Sequence, residues 1–370
     1  MRCLRFLPVL LLSGLLPIPL HAENIYGLKT GKPSIQSVST LTFGPDGILF
    51  VGDSKGASIY ALETGDPQVR ESSAPEASPI VQQIAKLIGV TAPTVKITDL
   101  AVNPETGHIF ISAEVAGKPP RLFRVQGGDA GVVELDLSDI PFSVAALPNP
   151  AEDKDVKVGN RTRNNRLNAV TDLAFVNGQL LVAGLSNDAA ASNVWSLMFP
   201  FQNIDRGTSL EIYHGAHGRS EDYAPIRTFV PFIVNGEPNL LAGFVCTPLV
   251  KFPLSQLTGS KESEKVRGTT VAELGNRNQP LDMISYNKGG KDYLLLTNSA
   301  RGVMKISTEN LGRTDGITTP IPDGKTSGQP YEKVDSLMGT TQMDKLDDTH
   351  AVVLIQNGSD PAVLKVVELP

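Results

Sequence analysis

Two histidines three residues apart, His214 and His217, sit in the stretch "EIYHGAHGRSEDYAPI" (211–226), and Glu221 and Asp222 follow at once. Imidazole nitrogens suit copper or zinc, and so does a thiolate. Cys246 lies 29 residues beyond His217. A histidine beside a carboxylate can also serve as a general base. An H-x-x-H spacing equally fits an ordinary glycine-rich loop, with Cys246 as a small buried apolar side chain. Metal ligation by His214, His217 and Cys246, base catalysis and a plain polar loop therefore all stay open at this point. The choice depends on which elements hold these side chains.

An internal repeat supplies those elements. "STLTFGPDGILFVGDSKGASIYAL" (39–62) pairs with "TDLAVNPETGHIFISAEVAGKPPRLFRV" (98–125) and "TDLAFVNGQLLVAGLSNDAAASNVWSLMF" (171–199). Further copies start at Val230, Leu281 and Thr340, the last being the weakest. Each holds a strand, a tight turn, a second strand, a longer loop and a third strand, and turns such as Asn177-Gly178 are strong hairpin signals. A fourth, more polar strand follows in "GVVELDL" (131–137), "TSLEIYH" (208–214) and "GTTVAEL" (268–274). Six such units predict an all-β chain: a six-bladed β-propeller of four-stranded antiparallel blades. The last copy ends at Pro370 without a fourth strand, so "ENIYGLK" (23–29) is expected to close the final blade. "SPIVQQIAKLIG" has the apolar spacing of one short helical insertion starting near Ser78-Pro79, and residues 146–168 read as a polar surface loop.

The unit "FGPDGILFVGDSKGASIYAL" resembles repeats of the NHL and SMP-30/gluconolactonase-like propellers. That resemblance implies a scaffold used by metal-dependent lactonases, other hydrolases and pure binding proteins, so fold alone does not assign a function. In its lactonase members a divalent cation is held at the channel mouth; by that analogy Asp282 is the late aspartate and Asn187 the middle asparagine. The early carboxylate has no direct match, since the strand begins Ser39-Thr40 with only Asp53 nearby.

In a propeller the connections between blades (D to A) and the second loop within each blade (B to C) share one face, and here that face carries the long loops. Binding residues concentrate on such loops. Asp99, Asp172 and Asp282 recur two residues into the first strand, with Thr40, Val230 and Thr341 at the matching places. The B-to-C loops add Asp53, Glu114, Asn187, Cys246 and Asn298. The aspartates either tie blades together through backbone amides or hold a hard cation such as Ca²⁺.

The N-terminus, MRCLRFLPVLLLSGLLPIPLHA, reads as a signal peptide cleaved after Ala22, leaving residues 23–370 as one propeller domain in the periplasm or outside the cell. No other apolar run is long enough for a membrane span. The whole chain has 33 basic against 39 acidic residues, and losing Arg2 and Arg5 makes it more acidic. That balance argues against nucleic acid and anionic lipid as partners. A monomer binding a small-molecule ligand or a protein partner is expected. With Cys3 removed, Cys246 is the only cysteine, so no internal disulfide can form. No H-E-x-x-H, P-loop or C-x-x-C-H motif occurs. Three functions follow: a ligand-, metal- or partner-binding propeller; a metal-dependent lactonase; or a redox protein with copper or a quinone held by His214, His217 and Cys246.

Overall fold

The computed structural model describes residues 25–66, 77–125, 131–158, 161–246, 248–258, 265–313, 315–322 and 324–370. The expected signal peptide lies outside the described residues. Among them the chain forms six small sheets around a central channel, an all-β six-bladed propeller. No described helix is long and apolar enough to cross a membrane.

The second strand of each blade shows why the sequence folds this way. Ile48–Asp53, Ile109–Val115, Gln179–Leu185, Glu237–Phe244, Lys291–Asn298 and His350–Ile355 are almost wholly buried along their apolar runs. A strand sandwiched between two neighbouring blades has no wet face, so it reads as a continuous apolar run rather than an alternating one. Each fully buried Val, Leu or Ile contributes roughly 1.5–3 kcal/mol. The first strands end in tight hairpins, where Asn177-Gly178 and Asn235-Gly236 both have positive φ, the two-residue turn that matches strand twist.

The order of blades around the ring differs from their order in the chain. Numbered by sequence, the innermost strand of blade 1 (Thr40–Phe43) lies between those of blade 2 (Val95–Val102) and blade 3 (Asp172–Val176). Blade 6 (Thr340–Lys345) then abuts blade 2 as well as blade 5 (Pro280–Lys288). The ring thus runs 1-3-4-5-6-2. Apolar clusters fill each junction: Val352 and Leu364 pack with Ile109 and Phe123 between blades 6 and 2, and Phe50 packs with Leu180 and Trp195 between blades 1 and 3.

This order corrects the expected closure. The last blade is completed not by the N-terminal segment but by Ala77–Ser78, which pairs with Leu364 and Lys365. Blade 1 takes its fourth strand, Ile140–Ala146, from beyond blade 2, and the N-terminal Lys29–Gly31 adds outside it as a fifth. The outer place on blade 6 is already filled, and the N-terminal strand pairs instead with the edge of blade 1.

Helix Ile80–Ile88 lies where expected, with Ile80, Val81, Ile84 and Ala85 buried between blades 2 and 6. The 146–168 segment is more ordered than a plain loop: Asp155–Val158 and Arg161–Asn164 form a hairpin. A strap from blade 5, described at residues 308–313, 315–322 and 324–330, crosses blade 4, where Ile317 and Gln329 donate their amides to the Thr270 and Val271 carbonyls and Ser327–Gly328 extends the sheet.

Candidate metal centre

The HGAHG loop is a compact hairpin. His214 ends the outer strand of blade 3, Gly215–His217 make a single 3-10 turn, and Gly218 takes the left-handed conformation (φ 64°) that lets the chain reverse. Arg219–Glu221 then pair back, with Ile212 opposite Glu221 and His214 opposite Arg219. Side chains alternate along a strand, so His214 and Glu221 emerge on the same face as diagonal neighbours.

Glu221 holds both histidines. Its Oε2 lies 2.8 Å from Nδ1 of His214 and its Oε1 lies 2.7 Å from Nδ1 of His217. The two ring centroids lie 3.9 Å apart with the planes tilted by 39°. Oε1 also accepts from Arg219 Nε at 3.2 Å and Tyr223 Oη at 2.9 Å. Burial works against the charge on Glu221, but the bonds from His214, His217 and Tyr223 prevail and hold its carboxyl well below the usual carboxylate range. With both Nδ1 atoms occupied, each ring has only Nε2 left to offer. His214 is 2% exposed, and its Nε2 is buried with no hydrogen-bond partner.

Cys246 meets them from the B-to-C turn of blade 4, in the left-handed conformation (φ 65°) that only glycine adopts without strain. Its amide donates to the Asn278 carbonyl at 2.9 Å. Asn298, in blade 5, donates in turn to Asn278 Oδ1 at 3.0 Å. Ligand atoms of His214, His217 and Cys246 all lie within 4.8 Å of one another. Glu273, fully buried at the end of blade 4's outer strand, accepts from the Gly215 amide and so pins the turn. Its Oε2 has no partner, and burial raises its pKa while the nearby His214 opposes the rise. The sequence reading did not single out Glu273 or Asn278; no spacing in the chain marks them.

The remaining candidates are placed elsewhere. Asp99, Asp172 and Asp282 line the central channel, a cavity of about 330 Å³. The inner edge of each first strand faces that channel with unpaired amides, and the carboxylates accept from them. Asp172 takes Leu173 and Phe229, and Asp282 takes Met283 and Met343, all at 2.6–2.8 Å. Asp99 takes Leu41 at 2.7 Å. These partners show that the residues matching the aspartates in blades 4 and 6 are Thr228 and Gln342, not Val230 and Thr341. The three aspartates therefore occupy alternate blades of the ring, each tying its blade to the next. Asp344, unnoticed in the sequence, does the same one step further along, reaching the Val102 amide at 2.7 Å. Burial pushes Asp99 up to about 8, Asp172 to about 7, Asp344 to about 6 and Asp282 well above its ordinary value.

Asp53 is fully buried and accepts from the Gln36, Ser37 and Gly56 amides, which closes its own turn. Asn187 is exposed and lines a different cavity from Asp282, beside Glu152 and Asp188. Glu114 is half-buried opposite Lys96 in the strand pairing of blade 2. Gly52-Asp53-Ser54-Lys55-Gly56 has the spacing of a nucleophile elbow, yet Ser54 is 3% exposed and donates to the Val170 carbonyl at 2.6 Å. His108, on an A-to-B hairpin, is 5% exposed and bonds Asp66 at 2.8 Å.

No family model matches the chain, and no curated protein is significantly similar to it. Among solved structures it is similar to an oxidoreductase assigned as a glucose dehydrogenase from Thermus thermophilus, with 12% identity, TM-score 0.37, and coverage of 92% of this chain and 100% of that one. The PQQ-bound aldose sugar dehydrogenase from Streptomyces coelicolor matches at 11% identity, TM-score 0.28, covering 91% and 96%. The extracellular region of plexin A4 matches at 10% identity, TM-score 0.42, covering 93% of this chain and 40% of that one. At these values the likeness is one of blade architecture alone.

Proposed function

We propose that this protein is an exported propeller that binds one transition metal, copper or zinc, through His214, His217 and Cys246 on its loop-rich face. One observation carries the reading: a buried His214 Nε2 without a partner lies in a cluster with a second imidazole and the only thiol beyond Cys3, while one carboxylate orients both rings. A carboxylate behind a ligating imidazole fixes its tautomer and raises its basicity. Two imidazoles and a thiolate suit copper or zinc and disfavour calcium. Three protein ligands leave a fourth position, and the side chain of His217, 42% exposed, lies on its solvent side.

The lactonase reading draws less support. The oxygens of Asp282 serve two backbone amides, and Asn187 lines a separate cavity. Elemental analysis of the protein purified without chelator, beside His214→Ala and Cys246→Ala, tests the proposal. One copper or zinc per chain, lost in both variants, is the expected result. Calcium retained by both would favour a site at the channel aspartates, and no metal at all would leave a binding scaffold.

A further inference from the structure

We infer that the fourth coordination position of this centre takes a small oxyanion, a carboxylate or phosphate group, as its ligand or substrate. The inference rests on the metal reading above and concerns what the metal and the arginines on its ligand-bearing segments hold together.

The charges around the centre are sorted by depth. The two carboxylates nearest the ligands, Glu221 and Glu273, are 4% and 0% exposed and lie beneath the histidines. The neighbouring Asp222 is engaged by Lys265 at 2.8 Å. The solvent side carries arginines. Arg219, with its side chain 64% exposed, donates Nε to the same Glu221 oxygen that holds His217, and its Nη2 lies 2.9 Å from Tyr223 Oη. That anchoring sets a guanidinium beside the more exposed imidazole.

In sequence, the exposed Arg277 immediately precedes Asn278, whose carbonyl holds the Cys246 amide. Arg301 reaches the Asn276 carbonyl at 3.4 Å, and a Cβ on Gly275 would strike its guanidinium at 2.3 Å, so the loop is moulded around this side chain. In a chain of net charge −6, three arginines thus fall on the segments that carry or hold the ligands: Arg219 beside His217, and Arg277 and Arg301 at the 275–278 loop that meets Cys246. Cys246 and Arg277 both hold positive φ, 65° and 58°, without the short hydrogen-bonding side chain that makes Asn and Asp tolerant of it. Left-handed backbone at bulkier residues persists where the surroundings enforce it.

A divalent metal carrying one thiolate and two neutral imidazoles keeps one net positive charge, which favours an anionic fourth ligand. Guanidinium groups match oxyanions in shape as well as charge, because their paired N–H donors fit two oxygens at once. A neutral ligand would gain less from these arginines than an anion would. A cation would be repelled by them.

Cobalt(II) loaded into the full chain provides the test, because its thiolate charge-transfer band reports Cys246 ligation and its d–d bands report the fourth ligand. Titration with inorganic phosphate and, separately, with acetate should shift the d–d bands saturably while the thiolate band persists. Arg219→Gln and Arg277→Gln should each weaken that response about two- to fivefold, as expected for one partly screened charge near the site. A response to acetate alone would assign a carboxylate, and one to phosphate alone a phosphate group; both outcomes uphold the oxyanion class. Absence of the thiolate band in wild type would overturn the metal reading and this inference with it. An intact band with no response to either anion, or a response unchanged in both arginine variants, would overturn the inference alone.

Discussion

Glu221→Gln isolates the role of the carboxylate behind the two histidines. In wild type each oxygen accepts from one Nδ1, at 2.8 Å for His214 and 2.7 Å for His217. A glutamine has one oxygen and one NH₂, so either orientation leaves one ring without an acceptor. A ring that instead accepts from the NH₂ at Nδ1 carries its proton on Nε2 and is lost as a ligand. The change removes one charge-assisted hydrogen bond, about 1.5–3 kcal/mol. At about 1.4 kcal/mol per decade, metal affinity should fall roughly 10- to 100-fold. Competition for Zn²⁺ or Co²⁺ against a chromophoric chelator reads this directly, with circular dichroism confirming the fold. Glu221→Gln binding within about threefold of wild type would refute the argument that this carboxylate sets the tautomers.

Cys246→Gly should abolish thiolate ligation yet stabilise the metal-free protein by about 1 kcal/mol, since glycine accepts the left-handed backbone at φ 65° without strain; thermal unfolding in chelator measures it. Asp282→Ala should destabilise by roughly 2–4 kcal/mol in denaturant unfolding, because the Met283 and Met343 amides both lose their acceptor. The channel carboxyls also set a pH trend. Burial raises Asp172 to about 7, Asp99 to about 8 and Asp344 to about 6, so the folded chain keeps protons that the unfolded chain has lost. Stability is then highest below the ordinary carboxylate pKa and is lost as pH rises through the folded values. The unfolding midpoint of the metal-free protein should accordingly fall between about pH 5 and pH 8, and a midpoint that rises over that interval would contradict this.

Much of the architecture was legible because buried strands announce themselves. "ILFVG", "LLVAG" and "VVLI" are apolar runs bounded by turn residues, and Asn177-Gly178 fixes its hairpin locally. Ring order was not legible, since nothing in Ala77–Ser78 or Lys29–Gly31 says which edge each will pair with; that depends on which edges remain open. The His214–His217–Cys246 cluster could be suspected because propeller topology brings B-to-C and D-to-A loops to one face. What lay beyond reach was the second layer. Glu273 and Asn278 act through contacts between chain segments 58 and 32 residues apart, from Gly215 to Glu273 and from Cys246 to Asn278, and no local pattern encodes such pairs. The aspartates stand out as a repeat, but their contacts depend on register, which sets inward amides of the neighbouring blade opposite them.

The non-sequential ring constrains how the chain is made. Blade 1 presents three strands by residue 63 but waits for Ile140–Ala146, so the second blade must emerge before the first is whole. Ala77–Ser78 waits far longer, because its partner strand, Val363–Glu368, lies far along the chain, with Leu364 opposite Ser78 286 residues after it. During translation the early blades therefore expose the junction that Val352 and Leu364 will later cover. Pairings across nearly the whole chain are slow to form, and unpaired edges meanwhile invite association with other chains. Such a ring cannot close around its channel before Val363–Glu368 arrives to pair with Ala77–Ser78.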